Sequence, residues 1–344
     1  MIVLYIFIII FVITPFLPAT ENPHWFFRTA DFVRLQSLFL DCLFLVLFLF
    51  FESEYTVFSW ILLATLIYTI GYEIDKVFKY SSFYPRKKPD FPSDGKLSIL
   101  AGNVLQTNTY YDKFLKIVKD HNPDLVLTME SNSEWEKGLS ELEETYPYTV
   151  KVPKENFYGM HLYSKIELIN PEVKFQVEEG MPSIFFEYPI NKNKNVFFCC
   201  LHPAPPSPTE NETSKERDAE LMITGNIIRE LDKPTVVCGD MNDVVWSRTT
   251  RLFKKMTAMI DPRIGRGFFS TYHAKYFFMR FPLDHLFHTK DLFVKIMERT
   301  ENFGSDHFAM YYEIHHKKKE VTPKMPKLNG DDNEEVKELI EKAE

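Results

Sequence analysis

The chain has 344 residues, of which 45% are hydrophobic and 26% are charged, and its formal net charge is −8. Residues 1–89 are neutral and residues 321–344 carry −3, so the segment between them carries −5. Proteins that bind long nucleic acids usually present a basic face or stripe that neutralises the phosphates. No such stripe is evident, which argues against processive work on duplex DNA.

Three apolar stretches predict a transmembrane region over residues 1–79. They cover about residues 2–19, 32–51 and 55–71. A helix of about 20 residues crosses roughly 30 Å of hydrocarbon. A signal peptide cleaved near Ala19 is the alternative for the first stretch. That stretch lacks a basic n-region and further spans follow it, so we expect it to be retained.

The Lys and Arg residues beside the spans predict their orientation. Arg28 and Arg34 flank the first connection, and the second connection, residues 52–55, has no basic residue. Five basic residues follow the third span, namely Lys76, Lys79, Arg86, Lys87 and Lys88. With three spans, the first connection and the region after the third span share one side of the membrane. Basic residues concentrate on the cytoplasmic side, so both regions are predicted to be cytoplasmic.

The rest of the chain divides into a short linker, a predicted catalytic domain and a tail. Residues 80–95 are rich in Pro, Ser and charge, which predicts a juxtamembrane linker. Residues 96–316 alternate short apolar runs with amphipathic segments. The predicted strands are 97–104, 125–130, 159–164, 173–179, 183–190, 195–202, 235–242, 281–288 and 307–316, and the predicted helices are 110–121, 215–231 and 249–256. Residues 317–344 form a polar tail that either ends in a short helix or is solvated throughout.

Polar side chains recur where the predicted apolar strands end. They are Asn103, Glu130, His202, the pair Asp240 and Asn242, and the pair Asp306 and His307. Taken singly, each is more often a solvated turn residue. Together they would form a costly buried cluster unless a cation and an anionic substrate compensate it. The joint pattern therefore favours a functional site.

Six motifs, in the order GNV, TMES, LHPAPP, GDMN, PLDHLF and GSDH, resemble the endonuclease/exonuclease/phosphatase superfamily across residues 96–316. The HPAPP run, GDMNDVVWS, the GRG before Thr271 and Tyr272, and the spans further resemble its bacterial membrane-anchored branch. The resemblance implies a two-layer α/β (α+β) sandwich of the deoxyribonuclease I-like fold. About three transmembrane helices precede this sandwich, and a bacterial inner membrane would hold them.

The resemblance also implies a metal ion and its ligands. Glu130 would be the main ligand of Mg²⁺, or of Mn²⁺ in its place, with help from Asn103 and Asp306. Oxygen ligands in small number suit Mg²⁺, which keeps several of its waters.

The same resemblance assigns catalytic roles. Asp240 would orient and deprotonate the attacking water, while Asn242 would hold that water or a phosphoryl oxygen. His307 would contact the scissile phosphate, with Asp284 fixing the orientation of its ring. His202 would stabilise or protonate the leaving oxygen.

The implied activity is the hydrolysis of a phosphodiester or phosphomonoester. Nucleic acid, a phospholipid head group and a small phosphodiester all remain candidate substrates. Anchoring in a lipid bilayer and the acidic domain favour the last two, whereas nucleases dominate the family. The alternative is a catalytically inactive membrane-bound binding or scaffold module, which would show replacement of Glu130, Asp240, Asn242 or His307. None of these is replaced, and no protein partner is predicted.

Overall fold

The computed structural model describes residues 1–86, 91–231, 233–318 and 325–343. Lys87 and Lys88, and parts of the predicted linker and tail, lie outside the described residues. The α-helices are α1 (Ile2–Ile13), α2 (Trp25–Phe32), α3 (Arg34–Phe51), α4 (Val57–Val77), α5 (Tyr111–His121), α6 (Ser133–Gly138), α7 (Lys215–Glu230), α8 (Arg248–Thr257) and α9 (Gly330–Glu341). The strands are β1 (Ser93–Asn103), β2 (Leu125–Met129), β3 (Tyr148–Val152), β4 (Met160–Ser164), β5 (Ile169–Lys174), β6 (Ser183–Asn191), β7 (Lys194–Leu201), β8 (Thr235–Asp240), β9 (Asp284–His288), β10 (Leu292–Arg299) and β11 (Met310–Lys317).

Three helical segments are long and apolar enough to cross a membrane. They are Ile2–Thr20, Arg34–Phe51 and Val57–Tyr80. The first comprises α1 and a 3₁₀ segment, and the others correspond to α3 and to α4 with its 3₁₀ extension. They contact one another through an apolar cluster, and Arg34 of the second segment also donates to the Pro15 carbonyl of the first at 3.3 Å. The buried members of the cluster are Ile8, Val12, Phe48, Leu62, Leu63 and Leu66. Two of the three segments begin or end at places other than those predicted, because α2 is a separate helix and α4 continues past Gly71.

The domain after the spans is a sandwich of two mixed sheets. One sheet has the strand order β10-β11-β1-β2-β4-β3 and the other has the order β5-β6-β7-β8-β9. Each contains one parallel pair, β1 with β2 and β7 with β8, and helices α5 and α7 make the two crossovers. The inward faces pack a continuous apolar core that includes Ile99, Leu127, Phe186, Phe198 and Ile314. The predicted two-layer sandwich is confirmed.

The third apolar segment runs directly into the packed core of the domain. Val77 and Tyr80 belong to the apolar cluster between the second sheet and helices α7 and α8, and Tyr80 is fully buried. The Tyr80 hydroxyl donates to the carbonyl of Val245 at 3.1 Å and accepts from the Lys254 ammonium at 2.7 Å. The end of α4 is therefore fixed to the domain by packing as well as by chain connection.

Edge strands account for the main differences between predicted and observed strands. Strands β3 and β10, which lie at the two edges of the first sheet, have no counterpart in the prediction. Strand β5, an edge of the second sheet, lies at Ile169–Lys174 and not at the predicted 173–179. Edge strands are half exposed, so their apolar pattern is weak, and hydrogen bonds to a neighbouring strand decide where they form.

The acidic end of the tail forms a helix. Helix α9 begins with a capping box made by Asn329 and Asp332, and it packs on α7. Val336 is buried there, and Leu339 and Ile340 are partly buried beside it. This part of the tail thus covers apolar surface of the domain.

Candidate active site

The predicted site residues converge at one end of the sandwich. Asn103 ends β1, Glu130 directly follows β2, His202 directly follows β7, and Asp240 ends β8. The carboxyl ends of both parallel pairs therefore meet at this end. Asp284 begins β9 and pairs with Asp240 across the sheet.

A cavity of about 400 Å³ lies at this end of the sandwich. Six predicted residues line it, namely Asn103, Glu130, His202, Asn242, Asp306 and His307. The other two, Asp284 and Asp240, face the two ring nitrogens of His307. Asp284 Oδ2 lies 2.9 Å from Nδ1, and Asp240 Oδ2 lies 3.5 Å from Nε2. The structure thus brings all eight predicted residues together.

Unusual backbone conformations hold two of these residues in place. Glu130 has a φ of 59° and Asn242 has a φ of 47°, in the left-handed region that costs energy for a residue with a side chain. Gly239, just before Asp240, has a φ of 141°, and a Cβ there would lie 2.0 Å from the Leu201 carbonyl oxygen. Only glycine fits at this position, which brings the ends of β7 and β8 close together.

Asn103 joins two of the acidic groups. Its Nδ2 donates to Glu130 Oε1 at 2.7 Å and to Asp240 Oδ2 at 3.1 Å. Its Oδ1 accepts from the backbone N–H of Leu105 at 3.0 Å, and the second Glu130 oxygen accepts from the N–H of Gln106 at 3.3 Å. In this arrangement Asn103 is a donor that aligns two carboxylates, and its amide oxygen is directed away from them.

His307 lies between two carboxylates. Burial lowers its pKa, but Asp240, Asp284 and Asp306 outweigh burial and raise the pKa of His307 to about 10. The ring is therefore an imidazolium near neutral pH, and it can donate from both nitrogens. Burial raises the pKa of Asp284, whose Oδ1 has no hydrogen-bond partner among the described residues.

His202 differs from His307 in protonation state. Burial lowers the pKa of His202 to about 4, so its ring is neutral near pH 7. Its Nδ1 has no partner in the described part of the chain, and its ring lies 5.2 Å from that of Tyr158. Asn242 is held beside it, because the Asn242 Nδ2 donates to the carbonyl of Pro203 at 3.0 Å. A neutral His202 can donate a hydrogen bond but is a poor proton donor at neutral pH.

The donor set suits a hard divalent cation. Four carboxylates face one imidazolium, and burial raises the pKa of Glu130 to about 7 although the hydrogen bond from Asn103 and the charge of His307 lower it. Ligand atoms of Asp240, Asp284 and His307 lie within 4.8 Å of one another and could hold a metal ion. Glu130 and Asp306, the other two carboxylates, line the cavity itself.

Five aromatic residues that line the cavity are not among the predicted site residues, namely Phe32, Phe157, Tyr158, Tyr272 and Phe281. Tyr158 and Tyr272 line the cavity, and the Tyr272 ring lies 4.9 Å from that of His307. Phe32, the last residue of α2, also lines the cavity. Tyr272 was visible in the sequence only as part of a family motif, and Phe32 was included in the predicted second span. Neither Tyr272 nor Phe32 has a local sequence pattern that predicts a place in the site.

Comparisons with known proteins agree with this architecture. The endonuclease/exonuclease/phosphatase family model matches residues 100–307. No curated protein matches the chain. Truncated TDP2 from Caenorhabditis elegans is 18% identical with a TM-score of 0.52, over 64% of this chain and 98% of that one.

Two further solved structures share the fold. An endonuclease/exonuclease/phosphatase from Beutenbergia cavernae is 13% identical with a TM-score of 0.52, over 65% of this chain and 72% of that one. TDP2 from D. rerio, solved with a single-strand DNA product, is 15% identical with a TM-score of 0.51, over 64% and 100%. Because the family model spans more than half of the chain, this protein belongs to the endonuclease/exonuclease/phosphatase family and is a hydrolase of phosphate ester bonds.

Proposed function

We propose that this protein is a membrane-anchored, divalent-metal-dependent phosphoesterase whose substrate is a phospholipid or another small phosphate ester at the bilayer surface. The observation that carries the proposal is the position of Phe32. This residue belongs to α2, the helix between the first two membrane segments, and it lines the same cavity as Glu130 and His307. The wall of the site is thus partly built from the connection between the first two apolar segments.

A second element of the cavity wall also leads toward the membrane segments. Tyr272 and Phe281 line the cavity and pair with each other as an antiparallel bridge. Between them the chain exposes four apolar residues, Tyr276 to Met279, and Phe278 is 80% exposed. The Phe278 carbonyl accepts from Gln36 Nε2 of α3 at 2.8 Å. An exposed aromatic tip beside the end of a span is typical of a membrane–water interface.

The side chains supply the chemistry in complementary charge states. The Asp240 carboxylate would accept a proton from the attacking water. His307, as an imidazolium, would donate to phosphoryl oxygens and offset their charge, while Asp284 holds its ring. Neutral His202 would donate a hydrogen bond to the leaving oxygen, and Asn242 would hold the water or a phosphoryl oxygen.

Mg²⁺ is the proposed metal, with Mn²⁺ as a substitute. Glu130 and Asp306 would hold it, and Asn103 would join them if its amide turned to present the oxygen. A bound cation supplies Lewis-acid stabilisation of charge on the phosphoryl group.

Metal binding should therefore weaken strongly in Glu130→Gln and only slightly in Asp284→Asn, as measured by calorimetric titration with Mn²⁺.

The test is a hydrolysis panel with the full chain in lipid nanodiscs and Mg²⁺. The substrates are phospholipids, inositol phosphates, a bis-aryl phosphate, abasic and nicked DNA, and RNA. We expect lipid or small esters to turn over fastest and a chelator to stop turnover.

Faster cleavage of DNA or RNA would overturn the substrate assignment while leaving the hydrolase in place. Absence of turnover on the whole panel, in the presence of bound metal, would favour an inactive binding module of the same fold.

A further inference from the structure

A second cavity, of about 230 Å³, lies where the membrane segments meet the domain. Its walls come from the ends of all three segments and from the start of α8. Six lining residues concern the argument, namely Asp31, Arg34, Tyr72, Lys76, Arg248 and Arg251. It is separate from the active site, since the lining residues of the two cavities do not overlap.

Four cationic side chains and one carboxylate, that of Asp31, line the cavity. Arg34 pairs with Asp31 at 2.6 Å. Arg248 pairs with Glu335 at 2.6 Å and also with Glu21. Among the described residues, no carboxylate forms an ion pair with Lys76 or with Arg251. Two cations therefore remain available to an anion in this cavity.

Arg34 also has unused hydrogen-bonding capacity. Its side chain is only 2% exposed, and its Nη2 donates to Asp31 and to the Pro15 carbonyl. Its Nε and Nη1 have no hydrogen-bond partner within the described ranges. A buried guanidinium with unpaired N–H groups is costly unless a ligand or water accepts from it.

The location of the cavity identifies the class of ligand. Its membrane-side wall contains Tyr72, with the Arg34 guanidinium 5.5 Å and the Lys76 ammonium 5.0 Å from its ring centre. Basic pockets between membrane helices near the interface bind the head groups of anionic lipids. The volume is below the roughly 300–1,000 Å³ of most pockets for larger ligands, and it suits a phosphate group.

We propose that this cavity binds the phosphate of an anionic phospholipid head group, held by Arg34, Lys76 and Arg251. The bound lipid would fix the domain against the bilayer and so set the height of the active-site mouth above it. The inference rests on the proposed membrane anchoring and does not depend on catalysis. Its test is therefore a binding measurement, and it can fail while hydrolysis persists.

The experiment titrates the full chain in detergent with phosphatidylglycerol and counts retained lipid by native mass spectrometry. Phosphatidylcholine and inorganic phosphate are titrated in parallel. We expect one phosphatidylglycerol to be retained preferentially. The double variant Lys76→Gln/Arg251→Gln should weaken that binding by about tenfold or more, as expected for the loss of charge-assisted contacts.

The control is Lys255→Gln, which removes a charge of α8 outside the cavity and should leave lipid retention unchanged. Arg251→Lys keeps the charge and should retain most of the binding, and single Arg251→Gln carries the test if the double variant unfolds. Equal retention in wild type and charge-deleted variants would overturn the proposal. So would equal retention of phosphatidylcholine, or binding of inorganic phosphate with no lipid bound.

Discussion

At the scale of single residues, the two histidines of the candidate site differ in protonation state. Carboxylates on both sides raise the pKa of His307 to about 10, whereas burial lowers that of His202 to about 4. Groups whose environments push their pKa values apart are candidates for different roles in one reaction. Asp240, within 3.5 Å of His307, is the proposed base.

We expect Asp240→Asn to lower kcat by roughly 10²-fold or more, the size of a lost acid–base group. Asparagine keeps the shape of the side chain and can still accept from the backbone N–H of Asn242. The measurement is steady-state hydrolysis of the best panel substrate. Asp112→Asn, an exposed aspartate at the start of α5, is the matched control, and a similar kcat in both variants would remove Asp240 from the mechanism.

A second residue-scale prediction concerns Glu220, a buried carboxyl of α7 outside the site. Burial raises the pKa of Glu220 from 4.5 to about 7, although hydrogen bonds from Ser183 and Gln176 oppose the shift. Between these pH values the unfolded chain has lost the proton that the folded chain keeps. Stability should therefore fall as pH rises from about 4.5 to about 7, by about 3 kcal/mol at most.

Glu220→Gln removes this titration, so the variant should gain stability relative to wild type at pH 8 and not at pH 4.5. Thermal unfolding at both pH values measures the effect. Glu230→Gln, an exposed position at the end of the same helix, should show no such pH-dependent gain. A constant difference between wild type and Glu220→Gln across this range would contradict the assigned cause.

At the scale of elements, helix α2 connects the apolar N-terminal segments to the candidate active site. The residue before α2, His24, forms an antiparallel β-bridge with Thr213. Near the other end of the helix, the carbonyl of Asp31 accepts from the Trp246 indole at 2.8 Å. Phe32 contacts Phe281 edge to face, with ring centres 5.9 Å apart. The helix therefore holds an aromatic ring at the cavity wall.

Phe32→Ala should raise the KM for a lipid substrate by roughly tenfold, because burial of a Phe side chain against an apolar group is worth about 1.5–3 kcal/mol. The KM for a soluble bis-aryl phosphate should change much less, since it lacks acyl chains. Kinetics on both substrates make the comparison, with Phe26→Ala on the exposed face of α2 as control. Equal changes for the two substrates would argue against a lipid-facing role.

At the scale of the whole molecule, packing links the three apolar segments and the domain. Tyr80, the first residue of the predicted linker, is buried in the domain core, and α2 and α9 cover further apolar surface. Helix α2 of the first connection contacts the domain, because its Asp31 carbonyl accepts from the Trp246 indole. Both therefore lie at one end of the three apolar segments, as the number of segments predicts. The cytoplasmic location of that side is still a proposal.

Cysteines introduced one at a time into the Cys42→Ala variant test the orientation of the chain across the membrane. Ser53→Cys lies in the second connection and Lys116→Cys on the exposed face of α5. An impermeant thiol reagent applied to intact cells should label the first and not the second. Labelling of Lys116→Cys before permeabilisation would place the domain outside the cytoplasm. The native Cys199, Cys200 and Cys238 are buried and should stay unlabelled in both cases.

The sequence by itself predicted the three apolar segments, the central strands and seven polar residues at strand ends, because each depends on local information, whereas Asp284 came from the family resemblance. Hydrocarbon thickness sets the length of a span, and central strands must be apolar on both faces. Polar residues at the ends of such strands stand out for the same reason, and their order along the chain supplied the family resemblance.

Only the tertiary structure decided which residues complete the sites. The edge strands form where a neighbour offers hydrogen bonds, α4 continues to Val77 because the domain core receives its end, and α9 covers α7. Phe32 and Tyr158 reach the active site, and Arg34 and Arg251 share a cavity, through contacts between distant parts of the chain. Their local sequence has no pattern that marks such contacts, since burial and charge compensation depend on which elements pack together.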